Sequence, residues 1–333
     1  MVEEIDYIAA PQLSYSGVKR FIKKGLERKD ENMNLVIGDI VDKILTEGKT
    51  LEDLCMIENV NIPRKQIETF SKNLFQLYIK DLIANEFAPL PINPDYYENA
   101  YIESEIKAKK LDKILEEFES NREYFDFLVE RTRAKYNGII VINQEERRQV
   151  DKCVDDITNS SFNKFFSNEN LCFNQLEIIT ETYKIKLDSL YIENGIIYLK
   201  DLKTTGGFTI NSVTAVVDYR YDIQAYLYHK VIKMILKGEK FTTNSQRFVD
   251  AFEYIKTCKL SNTFDFIFVS KNFICPVFEL KYKIEKTKDL LGKILYTKKD
   301  INKALKMWRT CTYHSVKPNL NEYYALHNYS FTI

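Results

Sequence analysis

Apolar and polar positions follow two different spacings along the chain, and the change from one to the other divides the sequence in two. From residue 12 to about residue 170, apolar residues recur every three or four positions, as on one face of a helix. From residue 175 to residue 282, short alternating or continuous apolar runs are typical of strands. The predicted helices of the first part span residues 12–29, 34–47, 63–86, 102–135 and 144–158.

The second part of the sequence predicts strands on both sides of a helix. The expected elements are a strand over 176–182, a hairpin over 184–203, a helix over 218–237, strands over 264–271 and 275–282, and a closing helix over 284–309. This mixture indicates an α/β fold, a mixed central β-sheet flanked by helices. We expect a mostly helical N-terminal region over residues 1–170, integrated with that fold, and a core over residues 171–333 that ends in the Lys-rich helix.

The turn of the predicted hairpin determines which of its residues face each other. Asn-Gly between alternating apolar runs signals a two-residue type I′ turn, because both positions of that turn need positive φ. With Asn194 and Gly195 in the turn, Asp188 is expected directly opposite Asp201. Their Cβ atoms would then lie about 5 Å apart on one face of the sheet.

Charged residues gather at the open end of this hairpin. The same register places Lys186 opposite Lys203, next to the two aspartates, in a segment otherwise rich in Leu, Ile and Tyr. Two close carboxylates repel each other unless a cation lies between them. With the backbone carbonyl of Leu202, they would form an oxygen-rich site suited to Mg²⁺ or Mn²⁺. The alternative is a solvated strand end with cross-strand salt bridges.

This set of residues predicts a reaction class. Hydrolysis of a phosphodiester with the help of a metal needs a polarising cation, an activated water and relief of negative charge. Asp188 and Asp201 would hold the metal. Lys203 would orient or help to deprotonate the attacking water, or offset charge on the phosphate.

Composition and charge narrow the class of protein. The 333 residues are 45% hydrophobic and 29% charged, as in an ordinary folded protein. Lys plus Arg and Asp plus Glu balance at 48 each, so any basic surface for nucleic acid must be local. No run approaches the roughly 18 apolar residues of a membrane span, no signal peptide is evident, and the six cysteines are scattered. We expect a cytoplasmic protein with reduced thiols and no membrane partner.

The residues of the hairpin resemble the PD-(D/E)XK nuclease superfamily, whose fold is a restriction-endonuclease-like core. Asp188 on one strand, and Asp201, Leu202 and Lys203 on the next, match its motif residue by residue. Two threonines follow, as in the common Asp-x-Lys-Thr form of the motif.

The following helix resembles the RecB-like branch of that superfamily. Gln224 and Tyr228 reproduce its Gln-x-x-x-Tyr element, and a spacing of four puts both on one helix face. There they would contact a DNA strand. The alternative is a partly exposed face of a core helix. Ser14-Tyr15-Ser16 resembles the Ser-x-Ser start common in RecB-like nucleases. Residues 141–166 resemble the helix that precedes the sheet in phage exonucleases related to exonuclease VIII.

Two further acids are candidate metal ligands, each with an alternative. Residues 34–45 resemble the Gly-x-x-x-His segment of RecB-like nucleases, but Asp42 stands four residues after Gly38, where His is common. Asp42 is either a ligand or an exposed residue of an amphipathic helix. Glu177 lies where the resemblance implies an upstream catalytic acid, and Glu181 on the same predicted strand is its alternative.

Basic residues mark candidate surfaces for DNA. Lys19, Arg20 and Lys23 lie on the first predicted helix, and residues 281–309 are rich in Lys and Arg. These patches predict salt-sensitive contacts with phosphates, although charged runs are usually solvated faces.

The resemblance implies a Mg²⁺-dependent deoxyribonuclease, with Mn²⁺ as a substitute, that processes the ends of linear double-stranded DNA for recombination. It implies a phage or mobile-element origin and the cytoplasm of a bacterial host. It also implies a single-strand-annealing recombinase as partner, and a homo-oligomer. The alternatives are an endonuclease of restriction or defence type, and a nuclease-fold protein that only binds DNA or a protein.

Overall fold

The structure is a computed structural model, and it describes residues 7–22, 33–88, 90–106, 109–167, 169, 171–206, 218–271, 277–284 and 297–313. The chain forms two compact units. One joins residues 1–49 to residues 149–333, and the other comprises residues 50–148. The first two helices therefore belong to the same unit as the strands of the second half.

The strands form two sheets in the described part of the chain. They are β1 (Cys55–Ile57), β2 (Ile140–Ile142), β3 (Cys172–Thr180), β4 (Lys184–Glu193), β5 (Ile196–Thr205), β6 (Phe241–Thr243), β7 (Lys259–Ser270) and β8 (Phe278–Lys283). The larger sheet has the order β6-β3-β4-β5-β7-β8, and the smaller sheet pairs β1 with β2 in parallel. In the larger sheet β5 and β7 are parallel and the other neighbours are antiparallel. The mixed α/β architecture is thus as predicted.

Helices precede, interrupt and follow the strands. They are α1 (Tyr15–Ile22), α2 (Met33–Glu47), α3 (Leu51–Leu54), α4 (Lys65–Ala84), α5 (Pro94–Glu103), α6 (Leu111–Glu119), α7 (Arg122–Tyr136), α8 (Gln144–Thr158), α9 (Tyr221–Leu236), α10 (Gln246–Thr257) and α11 (Thr297–Tyr313). None of the described helices is long and apolar enough to cross a membrane. Cys55, Cys153, Cys172 and Cys258 are free thiols.

The core of the first unit lies between the larger sheet and its helices. The central strands are covered on both faces, so β7 is buried continuously from Phe264 to Ser270, as is typical of such strands. The buried Asp265 interrupts its apolar run and forms an ion pair with Lys200. Apolar residues of α9 pack into the same core, among them Leu227, Val231 and Ile235. This packing sets α9 against the face of the sheet that carries the odd-numbered residues of β5.

The second unit is a helical cluster around aromatic side chains. Phe118 meets Phe70 and Phe125 edge to face, with ring centroids 5.4 and 5.6 Å apart. The prediction of one helix over 102–135 is wrong, because α5 ends at Glu103 and α6 and α7 follow it as separate helices. Each of the three buries its own apolar side, so the helical spacing continues across the breaks.

Other boundaries differ in ways that the local pattern does not show. The sequence missed β6 and α10, and β3 begins at Cys172, four residues before the predicted start. The closing helix is described from Thr297 onward; residues 285–296 of the helix predicted over 284–309 lie outside the described part. The first two residues of the strand predicted over 275–282 also fall in an undescribed stretch, residues 272–276.

Candidate active site

The β4–β5 hairpin has the predicted register at its closed end. Asn194 and Gly195 form the turn with φ of 52° and 71°, as a type I′ turn requires. From there the antiparallel pairing runs outward to Ser189 opposite Lys200. One step farther along both strands lie the two aspartates of the predicted site.

Beyond this last pair, β5 donates a backbone hydrogen bond to a side chain of β4 instead of to its backbone. The N–H of Leu202 donates to Asp188 Oδ2 at 2.8 Å. Asp201 is fully buried and belongs to the parallel pairing with β7, opposite Phe266. Two carboxylates therefore lie where the β4–β5 pairing ends.

Both oxygens of Asp201 have polar neighbours. Gln224 Nε2, on α9, donates to Asp201 Oδ1 at 2.5 Å. Lys203 lies two residues along β5, on the same face of the sheet, and its Nζ forms an ion pair with Asp201 Oδ2. One strand and one helix thus fix the orientation of this carboxylate.

Helix α2 brings a third carboxylate to the same place. Gly38 lies so close to β5 that a Cβ atom there would be 2.9 Å from Thr204 Oγ1. Only glycine permits this approach. Asp42, one turn farther along α2, faces the same way, and its charge interacts with those of Asp201 and Lys203.

Asp42 accepts a hydrogen bond from a residue that was not predicted to belong to the site. Gln175 Nε2 donates to Asp42 Oδ2 at 2.7 Å. Gln175 has a φ of 47°, which is uncommon for a residue other than glycine and occurs at functional sites. The side chain of Asn244 spans this irregularity, since its Nδ2 donates to Gln175 O and its Oδ1 accepts from the N–H of Glu177, both at 2.9 Å.

Burial and repulsion change the pKa values of this cluster. Burial, followed by the charge of Asp201, raises the pKa of Asp42 from 3.8 to about 6. The pKa of Asp188 is raised well above its ordinary value, mainly by burial and then by Asp201 and Asp42. Burial acts to lower the pKa of Lys203, but Asp201 and Asp188 outweigh it and raise that pKa. Three carboxyl groups and one ammonium therefore share a poorly hydrated site.

Glu177 lies beside this cluster and has a different set of neighbours. It pairs across β3 and β4 with Lys186, whose Nζ is 3.8 Å from its carboxylate. Burial raises the pKa of Glu177, and the other charges that act on it are those of Lys186 and Glu47. Glu181 is exposed beyond the end of β3. Lys186 therefore faces Glu177, although the hairpin register had placed it opposite Lys203.

The Gln-x-x-x-Tyr pair lies on one face of α9, as predicted, but that face points inward. Gln224 and Tyr228 are buried, with 5% and 7% of their surfaces exposed. The Tyr228 ring packs edge to face against Phe264 with centroids 6.0 Å apart. Burial, then the charges of Tyr7, Asp201 and Asp188, raise the pKa of Tyr228. In this arrangement the Gln224 side chain donates its hydrogen bond to the carboxylate of Asp201.

The predicted basic residues of the first helix are described only in part. Lys19 is partly exposed on α1, with its Nζ 5.0 Å from the centre of the Tyr15 ring. The side chain of Arg20 and the whole of Lys23 lie outside the described residues.

A divalent metal such as Mg²⁺ needs several oxygen ligands that converge on one point. Among the described residues, no group of three or more His, Cys, Asp or Glu side chains is arranged to hold a metal ion. Asp201 instead contacts Lys203 and Gln224. However, Asp42 Oδ1 is buried and has no hydrogen-bond partner within the described chain. A buried carboxylate oxygen without a donor is costly, and it is the kind of ligand that Mg²⁺ prefers.

Tyrosines around the site were not singled out from the sequence either. Tyr219 precedes the helix that carries Gln224, and Tyr221 is the first residue of that helix. The Nζ of Lys203 is 5.0 Å from the centre of the Tyr221 ring. The signal was present as Tyr-Arg-Tyr at residues 219–221, immediately upstream of the Gln-x-x-x-Tyr element.

No protein-family model and no curated protein matches the sequence.

Proposed function

We propose that the protein is a Mg²⁺-dependent deoxyribonuclease with a restriction-endonuclease-like core, which hydrolyses phosphodiester bonds at the ends of linear double-stranded DNA. The observation that carries the proposal is the convergence of Asp42, Asp188, Asp201 and Lys203 at the end of one hairpin. Carboxyl groups with such perturbed pKa values are expensive to keep in a fold, and they gather at functional sites.

Oxygen ligands for the ion would come from Asp188, Asp201, Asp42 and the backbone carbonyl of Leu202. Their fit is supported by the buried Asp42 Oδ1, which has no hydrogen-bond partner in the described part of the chain. It is also supported by the raised pKa values of Asp42 and Asp188, which show that negative charge is unfavourable in the metal-free site. A bound cation would offset this repulsion and favour the ionised carboxylates. When bound, Mg²⁺ polarises a phosphate oxygen and acidifies a water molecule.

Lys203 acts as a positive charge and a hydrogen-bond donor in this proposal. Its raised pKa keeps it protonated at neutral pH, so it is not the base that accepts a proton from water. Its ammonium group offsets the charge that develops on the phosphate oxygens, which is a large contribution in a poorly hydrated site. Gln224 holds the carboxylate of Asp201, and Glu177 contributes negative charge from the edge of the cluster.

End-dependent cleavage is the part of the proposal that rests on the resemblance to exonuclease VIII-type enzymes. DNA is the substrate, and a single-strand-annealing recombinase and a second copy of this chain are the proposed protein partners. Restriction-type endonuclease activity and DNA binding without cleavage make different predictions, so one set of reactions separates all three functions.

The test is the digestion of linear duplexes labelled at the 5′ or 3′ end, beside a covalently closed circle. Wild-type protein should release label from linear DNA with Mg²⁺ or Mn²⁺, not with EDTA, and should leave the circle intact. Asp201→Asn should be inactive, whereas Asp250→Asn, an exposed aspartate of α10, should be fully active. Cutting of the circle would identify an endonuclease. Binding without any cleavage in either metal would refute the nuclease proposal.

A further inference from the structure

An exposed tyrosine ends a column of aromatic rings that begins in the core. Phe266 on β7 is fully buried and stacks on Tyr221, with ring centroids 5.5 Å apart and planes 30° apart. Tyr221 stacks in turn on Tyr219, at 5.7 Å and 28°. Tyr219 is 51% exposed, so the column leads from the sheet to solvent.

An anchored backbone turn holds this column in place. Arg220, between the two tyrosines, has a φ of 57°. This is the left-handed region, which residues other than glycine rarely adopt. Its guanidinium donates to both carboxylate oxygens of Asp222, at 2.9 and 3.1 Å, and to Asp300 on α11 at 2.8 Å. Asp222 is fully buried. The turn that stacks Tyr219 on Tyr221 is therefore fixed before any ligand binds.

The column is connected to the candidate active site and to a basic helix. Lys203 Nζ lies 5.0 Å from the centre of the Tyr221 ring. The hydroxyl of Tyr15 on α1 donates to the backbone carbonyl of Tyr219 at 2.8 Å. Lys19, one turn along α1, has its Nζ 5.0 Å from the Tyr15 ring centre. The exposed Tyr219 is thus linked through Tyr221 to a lysine of the site, and through Tyr15 to a partly exposed lysine of α1.

We propose that Tyr219 is a stacking platform for an unpaired nucleobase of the DNA strand that is cut, with Lys19 on a neighbouring phosphate. The proposal rests on the nuclease function and names the substrate form that the site receives. Aromatic side chains bind single strands by stacking on bases of any sequence, while positively charged side chains contact the phosphates of the strand. A base inside a duplex has both faces covered by its neighbours, so the bound strand must be single-stranded or frayed near the scissile phosphate.

The test measures binding of a fluorescent single-stranded oligonucleotide by anisotropy, with Ca²⁺ in place of Mg²⁺, and places an abasic nucleotide at each position in turn. Tyr219→Ala should weaken binding of the intact strand about 5- to 160-fold, the range for loss of one stacked base. Tyr219→Trp should bind as well as wild type. Tyr254→Ala removes a comparably exposed tyrosine of α10, 48% exposed, and should have no effect.

The deciding result is whether Tyr219→Ala loses the sensitivity to an abasic nucleotide that wild-type protein shows at one position. In wild-type protein, an abasic nucleotide at one position should weaken binding by a factor similar to that of Tyr219→Ala, and in Tyr219→Ala that position should become insensitive. Equal sensitivity in both proteins, or no binding of single strands by wild type, would overturn the platform. Cleavage of linear duplex DNA is scored separately with Mg²⁺. Cleavage without the abasic effect refutes the platform alone, and the abasic effect without cleavage refutes the nuclease alone.

Discussion

The side-chain amide of Gln175 donates a 2.7 Å hydrogen bond to Asp42, 133 residues earlier in the chain. This bond acts to lower the pKa of Asp42, against burial and the charge of Asp201, which raise it. Gln175 therefore helps to keep the carboxylate ionised and pointed at its neighbours. Hydrogen bonds to metal-binding side chains commonly set both their orientation and their basicity.

Replacing Gln175 by Leu should reduce Mg²⁺ affinity and activity by about 10- to 100-fold, the usual cost of losing such a supporting partner. The acid side of the pH–rate profile should move to higher pH, because the pKa of Asp42 rises when its donor is removed. Gln246→Leu is the matched control, since Gln246 makes a similar 2.6 Å bond to Asp250 on an exposed helix face. Equal effects of the two variants would show that Gln175 has no special role.

Stability of the metal-free protein should fall as the pH rises through the pKa of Asp42. That pKa is about 6 in the folded protein against an ordinary 3.8, so the folded state binds the proton more tightly than the unfolded state. The resulting stability is fully present below pH 3.8 and is lost as the pH rises through about 6. Asp42→Asn should raise the unfolding free energy above about pH 7 by about 1–3 kcal/mol. Urea unfolding in EDTA at several pH values measures this.

Magnesium should reverse that loss in the wild-type protein. A ligand that binds only the folded state raises its stability, so Mg²⁺ should increase the Tm of wild type at neutral pH. The increase should be smaller in Asp42→Asn and absent in Asp188→Asn, because the second substitution removes the proposed ligand at the centre of the cluster. An identical response of all three proteins to Mg²⁺ would rule out these carboxylates as its binding site.

Lys203→Met should abolish most activity and destabilise the metal-free protein. It leaves the buried Asp201 without its ion-pair partner, which typically costs about 3–5 kcal/mol, and it removes a donor worth about 10²–10³-fold in rate. Asp201→Asn in the same chain should restore most of the stability but none of the activity. Lys186→Met is the control, because Lys186 is 39% exposed and 3.8 Å from Glu177. It should change stability by less than about 1 kcal/mol.

The features of the site that depend on residues close together in the sequence were predictable. The Asn194-Gly195 turn sets the hairpin register by itself, and the spacing of Gly38 and Asp42 on α2 follows from helix geometry. Gln175 was not predictable, because its position depends on Asn244, 69 residues away, which spans the irregular strand. The burial of Gln224 was missed for a similar reason: periodicity gives the face of a helix, whereas the sheet beneath it decides which face is covered.

Gly38→Ala sets helix propensity against close packing. Alanine normally stabilises a helix interior over glycine by about 1 kcal/mol, but here its Cβ would lie 2.9 Å from Thr204 Oγ1. Because β5 is paired on both sides, α2 must shift and carry Asp42 with it. We expect unfolding free energy to fall by about 1–3 kcal/mol, as in other overpacked sites, and Mg²⁺-dependent activity to fall with it. Thr204→Ala in the same chain removes the clashing oxygen and should restore both quantities. A Gly38→Ala protein that is more stable and fully active would contradict the close approach of α2 to β5.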